Sequence, residues 1–386
     1  MTDQKRMTLV DLGLFTGVPQ HEHFCRMKDL LDTREMAPSA HPHLWPHGEA
    51  APLPESFDYD GTARVTKEFL ARTDTSALLV LVDGVIRHES YFLTGGPDVQ
   101  WLSMSVSKSF ISALVGIAVE EGHITGIDEP ISSYVPVRPG SAYDGVSIKD
   151  VLQMSSGARW NEDYNDPASD IYQLTAATAG IGGTLDDFVA RMVRESGPGT
   201  VCRYNSGETQ VLGALVARAT GRPVADYMRE KLCEPLGMTS AGYWLVDPAG
   251  TELAFGGLNL TARDFARLGE LYRNGGVWQG RQIVPAQWVR DSVTGTAPHL
   301  QPGRPLVGGQ QADGVGYGYQ WWLPAGDRGE FSAVGVYNQF VYVDPVSRTT
   351  IVKLSASRLY GTSTDEAISG EEETIAFLRA IARHGH

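Results

Sequence analysis

The sequence predicts an α+β fold: an antiparallel sheet flanked by helices, with a mainly helical domain inserted between its strands. Strand-like runs lie near both ends of the 386-residue chain, and helix-like patterns fill its middle. Helices that gather on one side of an antiparallel sheet are typical of α+β proteins. We therefore expect residues 61–123 and 298–386 to form an α/β domain that carries the sheet, and residues 124–297 to form the helical domain.

The first part of the chain predicts a wrapping segment and a hairpin. Residues 1–60 are rich in Pro, His and Gly, which favours an extended N-terminal segment around the body. Runs of β-prone residues at 77–82 and 85–92 flank Asp83-Gly84, a dipeptide typical of two-residue hairpin turns. We expect one β-hairpin at this point.

Helical periodicity begins soon after this hairpin. Apolar residues recur at helical spacing from Ser107 to Glu121, and Gly122 ends the pattern. Thr184 and Thr261 each precede an Asp by three residues, which resembles a capping box at a helix start. Further helices are predicted at 148–154, 185–195, 208–220, 224–234 and 262–274.

The last quarter of the chain changes back to strand signals. β-prone runs at 317–323, 330–344 and 349–357 predict strands, with a hairpin turn around Pro345. An amphipathic pattern at 371–383 predicts a final helix. The strands of both chain ends would then share one sheet, and the seam with the inserted domain is a favoured place for a pocket.

Composition excludes several classes of function. The formal net charge is −14 and no Lys/Arg run occurs, which argues against nucleic-acid binding. No run of 18 apolar residues predicts a membrane helix, and the N-terminus lacks the apolar core of a signal peptide. Three cysteines without paired or metal-ligand spacing favour a reducing compartment, so we expect a cytoplasmic protein. We expect no metal and no cofactor.

Ser105 and Lys108 form a Ser-x-x-Lys at the mouth of the predicted helix. Three residues apart on a helix means one face, about one turn apart, so the hydroxyl and the amine can share one space. A serine beside an amine that can lose its proton is an activated nucleophile. The backbone N–H of Ser105 is also a candidate oxyanion donor at the helix start. A serine-rich helix cap with a solvated lysine is the alternative interpretation.

Tyr204 is the candidate for a second proton carrier. It lies just before the predicted helix at 208–220, where a tyrosine hydroxyl can project into a cleft. A nearby Lys108 ammonium would favour the phenolate, whereas a neutral Lys108 held by Tyr204 would itself be the base. A core tyrosine with a hydrogen-bonded hydroxyl is the structural alternative.

The order of these motifs resembles the serine β-lactamase-related superfamily. Ser105-x-x-Lys108, Tyr204-x-Ser206 and a strand carrying Gly335 follow its class C branch, which includes family VIII carboxylesterases and D-aminopeptidases. The segments MSVSKS, NEDYNDPAS, GLNLTARDFARLGELYRNGGVW and YQWW resemble more closely the 6-aminohexanoate-dimer (nylon-oligomer) hydrolases. The resemblance implies a β-lactamase/transpeptidase-like fold and a serine hydrolase that forms an acyl-enzyme.

The resemblance also implies roles for single residues. Ser105 would be the nucleophile, and Lys108 and Tyr204 would form the general base and acid. The backbone N–H groups of Ser105 and Val336 would form the oxyanion hole. The residues implied in substrate binding are Tyr164, Trp322, Gly335, Phe255 and Thr175.

These substrate-binding positions are implied for different reasons. Tyr164 would sit on a mobile loop and close its hydroxyl over the acyl group, and Gly335 would let its strand approach the substrate closely. Trp322 would line the pocket, although core packing is an equal alternative for it.

Several positions depart from these relatives. Ala333-Val334-Gly335 lacks the basic residue that β-lactamases and peptidases of the superfamily place near the substrate carboxylate. Thr175 and Phe255 stand where the nylon-oligomer branch would hold the aminohexanoate chain, so a substrate ammonium has no acidic partner there. We therefore expect small carboxylic esters as the main substrates and linear amides close behind.

Other functions stay open at this point. An acyltransferase would use the same residues, and a β-lactamase- or D-aminopeptidase-like hydrolase would use the same scaffold. A non-catalytic binding protein ranks last because the catalytic set is complete, and the absence of Gly-x-Ser-x-Gly disfavours an α/β-hydrolase. The expected partner is a small molecule, not a nucleic acid or a membrane, and a homodimer is left open.

Overall fold

Strands from both ends of the chain form the main sheet of the computed structural model, which describes residues 11–305, 311–312, 314–360, 362 and 370–384. The strands are β1 (Thr33–Met36), β2 (Ser56–Tyr59), β3 (Thr62–Val65), β4 (Thr75–Val82), β5 (Val85–Tyr91), β6 (Trp101–Leu102), β7 (Gly242–Leu245), β8 (Leu258–Leu260), β9 (Val277–Trp278), β10 (Arg281–Gln282), β11 (Arg304–Pro305), β12 (Gln311–Ala312), β13 (Val315–Tyr317), β14 (Trp322–Pro324), β15 (Phe331–Gly335), β16 (Gln339–Asp344) and β17 (Thr349–Ser355). The α-helices are α1 (His21–Phe24), α2 (Thr66–Arg72), α3 (Ser107–Glu120), α4 (Ile148–Leu152), α5 (Asp170–Ala177), α6 (Leu185–Ala190), α7 (Ser206–Thr220), α8 (Val224–Met228), α9 (Ala262–Arg273), α10 (Ala286–Ser292) and α11 (Glu371–Arg383).

The main sheet is antiparallel, with the strand order β13-β14-β15-β16-β17-β4-β5. Its two halves meet where β4 pairs with β17, which places Val80 opposite Ile351. The predicted α+β class, with one antiparallel sheet assembled from distant segments, is therefore confirmed. The predicted division into domains at 61–123, 124–297 and 298–386 stays a prediction.

The β4–β5 hairpin has the turn that its sequence predicts. Asp83 and Gly84 connect the strands with φ values of 51° and 72°. Positive φ at both central residues is the conformation of a type I′ turn, which matches the twist of antiparallel strands. The Asp-Gly dipeptide thus fixes this register locally.

The sheet is covered on both faces because its side chains alternate. Leu78 and Val80 of β4 pack in a cluster that contains residues of α2 and α11. Leu79 and Leu81, which point the other way, join the large core that contains residues of α3 and α9. Successive side chains of a strand face opposite sides, so one apolar strand contributes to both layers.

Helix α3 lies within the large core and is buried from Ser107 to Ala118. Phe110, Leu114 and Ile117 recur at i, i+4 and i+7 and so form one apolar face, and the other faces of the helix are buried as well. Gly122 follows the helix with φ 76°, as expected for a residue that ends it. The burial of α3 thereby fixes the position of its first turn next to β15.

The predicted helices exist, but some are shorter than expected. The helix predicted at 185–195 ends at Ala190, and the helix predicted at 224–234 continues beyond Met228 as a π-helical turn. The predicted capping box is complete at Thr184, whose side chain and backbone both bond Asp187. At Thr261 the side chain accepts the Asp264 N–H, as in the first half of such a box.

A second antiparallel sheet, two of whose strands lie in the predicted helical region, was not expected. Its strand order is β1-β7-β8-β6, so it links the N-terminal segment, the strand before Ser105 and two short strands of the middle region. The run at 330–344 is also not one strand but two, since Tyr337 and Asn338 form a turn with φ values of 68° and 65°. Strands of two to four residues carry too little periodicity to be recognised from sequence.

Candidate active site

Ser105 lies in a short 3₁₀ turn, Met104–Val106, that joins β6 to the start of α3. Its side chain is buried among the core of both sheets, with 7% of its surface exposed. Met104 holds a φ of 45°, a conformation that costs a non-glycine residue free energy and that often occurs at functional sites. This strained residue directly precedes Ser105 and belongs to the turn that positions it.

The end of β15 packs directly on this turn. A Cβ atom at Gly335 would lie 2.7 Å from the carbonyl oxygen of Ser103 and 3.0 Å from the backbone nitrogen of Ser105. Only glycine permits this approach, because real Cβ atoms do not come so close to backbone. Gly335 thus packs against the turn that carries Ser105. The next residue, Val336, lines the same cavity as Ser105. This arrangement suits the predicted pair of oxyanion donors.

Lys108 is almost fully buried one turn beyond Ser105. Its Nζ donates to the Phe255 carbonyl at 2.7 Å and to Ser206 Oγ at 3.1 Å, and it lies 5.3 Å from the centre of the Tyr204 ring. Burial lowers the pKa of Lys108 to about 7, against an opposing effect from the Glu162 carboxylate. A large fraction of Lys108 is therefore the neutral amine near neutral pH.

The side chain of Tyr204 lies beside that of Ser105. Burial and the negative charge of Glu162 raise the pKa of Tyr204 well above its usual value, so the residue is a neutral phenol. Of the two arrangements left open by the sequence, this electrostatic setting favours a neutral Lys108 beside a protonated Tyr204. Ring contacts with Trp322 (centroids 5.2 Å apart) and Tyr317 (6.3 Å) hold the phenol in place.

Glu162 is the site residue that the sequence did not reveal. Its carboxylate accepts hydrogen bonds from Ser206 Oγ at 2.6 Å, from Ser206 N–H at 3.0 Å and from Tyr164 OH at 2.9 Å, and Trp160 Nε1 donates to it as well. Ser206 thereby bridges the Lys108 amine to this carboxylate. The sequence offered only an acidic residue two positions before Tyr164. The charge of that residue did not indicate that it would face the candidate active site.

The cavity beside Ser105 comprises about 490 Å³ of empty space, which includes space open to solvent. It is lined by Leu14, Phe15, Leu102, Met104, Ser105, Tyr164, Ile171, Thr175, Ser206, Leu245, Leu253, Phe255, Gly256 and Val336. None of these lining residues carries a formal charge, and most of them are apolar. A buried charge without a partner is strongly disfavoured in such surroundings, so the cavity suits an uncharged apolar group.

The structure brings most of the predicted substrate-binding residues to this cavity. Tyr164, Thr175 and Phe255 line it. Trp322 is not among the lining residues. It packs against Tyr204 and Tyr317, as in the core-packing alternative that the sequence left open for it. The Tyr164 hydroxyl donates to Glu162 here rather than reaching over the cavity. The roles of these residues in binding stay predictions.

Two features are absent from the residues that the structure describes. No helix among them is long and apolar enough to cross a membrane. Within the same residues, no three His, Cys, Asp or Glu side chains are grouped so that they could hold a metal ion.

The chain is similar to several known proteins. The chain is 32% identical over 345 residues to a 6-aminohexanoate-dimer hydrolase of Paenarthrobacter ureafaciens, covering 86% of this chain and 84% of that one. It is 30% identical over 163 residues to the esterase EstB of Burkholderia gladioli, covering 39% and 40% of the two chains. A solved Bacillus anthracis structure, described provisionally as a 6-aminohexanoate-dimer hydrolase, superposes with a TM-score of 0.83 at 24% identity over 94% of each chain.

A family model decides the classification. The β-lactamase family model matches residues 62–369, which is well over half of the chain. The relative from Paenarthrobacter ureafaciens supports the same assignment over most of the sequence. The chain therefore belongs to the β-lactamase family and is a serine hydrolase.

Proposed function

We propose that this protein hydrolyses carboxylic esters with uncharged, apolar acyl groups through an acyl-enzyme on Ser105. The observation that carries the proposal is the cavity beside Ser105, whose lining has no charged side chain. An ammonium-bearing acyl chain would lose its hydration there without gaining an acidic partner. Thr175 and Phe255, both in the lining, contribute to this neutrality.

Acylation begins with Lys108 as the base. Ser105 Oγ attacks the substrate carbonyl carbon while its proton passes to the neutral amine of Lys108, whose pKa of about 7 suits this task. The new oxyanion faces the backbone N–H groups of Ser105 and Val336, and fixed donors of this kind stabilise it. The C–O bond to the alcohol then breaks, and Tyr204 donates its phenolic proton to the leaving oxygen. The Lys108 ammonium returns a proton to Tyr204.

Deacylation repeats these steps with water. Water attacks the acyl carbon and gives its proton to Lys108, and the second tetrahedral species collapses by breaking the bond to Ser105 Oγ. Ser105 regains its proton and the carboxylic acid leaves. In this scheme Glu162 touches no reacting atom. It positions Ser206 through hydrogen bonds, and its negative charge raises the pKa of Lys108.

Linear amides are a second candidate substrate class. The 32% identity with a 6-aminohexanoate-dimer hydrolase over most of both chains favours it, and the same residues can cleave an amide. Acyl transfer to an alcohol or amine, and a β-lactamase- or D-aminopeptidase-like reaction, use the same acyl-enzyme. Product analysis with an added acceptor separates transfer from hydrolysis.

The first experiment compares initial rates of the wild-type protein and Ser105→Ala on p-nitrophenyl esters, the linear aminohexanoate dimer and a chromogenic cephalosporin. We expect ester turnover to be the fastest and to fall by at least about 10³-fold in Ser105→Ala, because the nucleophile is lost. Faster turnover of the charged dimer than of any ester would contradict the proposed substrate class. Full ester activity in Ser105→Ala would contradict the nucleophile.

The cellular location and the oligomeric state of the protein are proposals as well. Neither Cys25 nor Cys233 forms a disulfide within the part of the chain that the structure describes, which supports the predicted cytoplasmic location. The homodimer left open by the sequence stays a prediction that sedimentation can test.

A further inference from the structure

The N-terminal segment reaches the active site, although Leu14 and Phe15 lie some ninety residues before Ser105 in sequence. Both side chains line the cavity that contains Ser105. The segment from Asp11 to Gln20 was expected only to wrap the body, and no motif pointed to a part in the site. We call these ten residues the N-terminal loop.

The N-terminal loop has a defined internal structure. The buried Gln20 side chain donates from Nε2 to the carbonyl of Leu12 at 2.8 Å and lies 3.3 Å from those of Gly13 and Val18. Leu12 and Leu14 are buried in the large core. A buried amide that bonds several carbonyls of one turn fixes that turn, because each unpaired buried group would be costly.

Phe15 adopts a strained backbone at the tip of this loop. Its φ is 63°, in the left-handed region that a bulky side chain rarely adopts. Such strain persists only where the surroundings determine the conformation, and it occurs frequently at functional sites. The surroundings in this case are aromatic: the Phe15 ring stacks on Tyr164, with centroids 4.3 Å apart, and on Tyr337, with centroids 5.4 Å apart.

The backbone of Phe15 is fixed as well. Its N–H donates to the Tyr337 hydroxyl at 2.6 Å. Tyr337 directly follows Val336, and Tyr164 bonds Glu162, so Phe15 joins the turn after β15 to the segment that carries Glu162. Phe15 thus contacts residues from two sides of the cavity and also lines the cavity itself.

We propose that Phe15 is a specificity-determining residue, which closes the apolar end of the cavity and thereby limits the length of the acyl group. This inference rests on the proposed function, because it names which acyl esters that site accepts. Removing the ring opens space continuous with the cavity, since its neighbours Tyr164 and Tyr337 are held by Glu162 and by the sheet turn. The wild-type site then prefers short acyl chains, and a smaller residue at position 15 admits longer ones.

The test compares Phe15→Ala with wild type on p-nitrophenyl acetate, butyrate, hexanoate and octanoate. We expect the ratio of kcat/KM for octanoate over acetate to rise at least tenfold in Phe15→Ala. Phe92→Ala is the matched control, because Phe92 is an aromatic residue of the surface that does not line this cavity. Its ratio should equal that of wild type. An unchanged ratio in a folded, active Phe15→Ala protein would overturn the inference.

A second variant and a second readout keep the inference separate from catalysis. Phe15→Leu keeps an apolar side chain in the loop and should shift the ratio in the same direction by less, which covers the case in which Phe15→Ala does not fold.

Thermal unfolding with acetate, butyrate, hexanoate and octanoate as free carboxylates requires no turnover. The chain length that raises Tm most should become longer in both Phe15 variants. If wild type hydrolyses no ester but this shift occurs, the proposed function fails and the inference stands. If the preferred length stays the same, the inference fails.

Discussion

Lys108 and Lys353 are two lysines buried in similar surroundings, yet only one of them lies at the candidate active site. Both are almost fully buried, and burial lowers the pKa of each to about 7. Each donates to a serine hydroxyl, Lys108 to Ser206 at 3.1 Å and Lys353 to Ser355 at 2.6 Å. Each also lies near an aromatic ring, that of Tyr204 at 5.3 Å or that of Phe69 at 5.5 Å.

The two lysines differ in what surrounds them beyond these contacts. Lys108 lies in the first turn of α3, just after the turn that carries Ser105, and Ser105 lines a cavity and lies beside Tyr204. Lys353 lies in the middle of β17 opposite Leu78, and its partner Ser355 is already bonded to Gln339 and lies near Thr75. A lowered lysine pKa therefore reports burial, and catalysis further needs a reachable nucleophile and space for a substrate.

The largest expected difference concerns activity. Lys108→Met should lower kcat/KM for the best ester by about 10²–10⁴-fold, because a positioned general base contributes about that much. Lys353→Met should leave kcat/KM within a few-fold of wild type when rates are corrected for the folded fraction. Steady-state kinetics and circular dichroism on both variants provide the measurement. Equal losses in the two variants would mean that the comparison does not separate catalysis from burial.

A second difference concerns the pH dependence of stability. In the unfolded chain Lys353 keeps its proton up to its ordinary pKa of 10.5, whereas in the folded protein it loses the proton near pH 7. Between these values the unfolded state binds more protons, so the lysine makes the free energy of unfolding rise with pH, by at most about 1.4 kcal/mol per pH unit. Lys353→Met lacks this proton, so wild type should gain stability relative to the variant from pH 7 to 10.

Urea unfolding at several pH values measures this difference. Substitution of the exposed Lys67 by Met is the matched control, and its difference from wild type should be flat with pH. A flat difference for Lys353→Met as well would show that Lys353 stays protonated in the folded protein.

The smallest expected effect concerns the charge that sets the pKa of Lys108. The Glu162 carboxylate raises the pKa of Lys108, in opposition to burial. Glu162→Gln removes this charge, so the pKa of Lys108 should fall and the neutral base should persist to lower pH. We expect the acid limb of the kcat/KM profile near pH 7 in wild type, and it should move to lower pH in Glu162→Gln.

This shift separates Glu162 from a merely structural residue. Loss of its hydrogen bonds to Ser206 and Tyr164 would lower kcat at all pH values without moving the limb. Glu68→Gln removes an exposed charge on α2 and should leave the profile unchanged. A limb that moves to higher pH in Glu162→Gln would exclude Lys108 as the titrating base.

Much of the local structure follows from the sequence because it depends on neighbouring residues. The Asp83-Gly84 turn, the buried helix α3 and the Ser-x-x-Lys spacing each rest on contacts or conformations within a few positions. The same holds for the capping box at Thr184. Periodicity also places the strands at both ends of the chain, which suffices for the α+β class.

Only the tertiary structure decides which distant side chains meet at Ser105. Glu162 and Phe15 carry no local signal of a site, since an acidic loop residue and an apolar residue near the N-terminus are ordinary features of a soluble sequence. Their positions depend on the packing of β15 against the nucleophile turn, which Gly335 permits, and on the aromatic contacts of Tyr164 and Tyr337. The sequence alone therefore predicts Ser105 as the nucleophile and determines the helix that follows it, whereas long-range packing determines the charge around Lys108 and the residues that line the cavity beside Ser105.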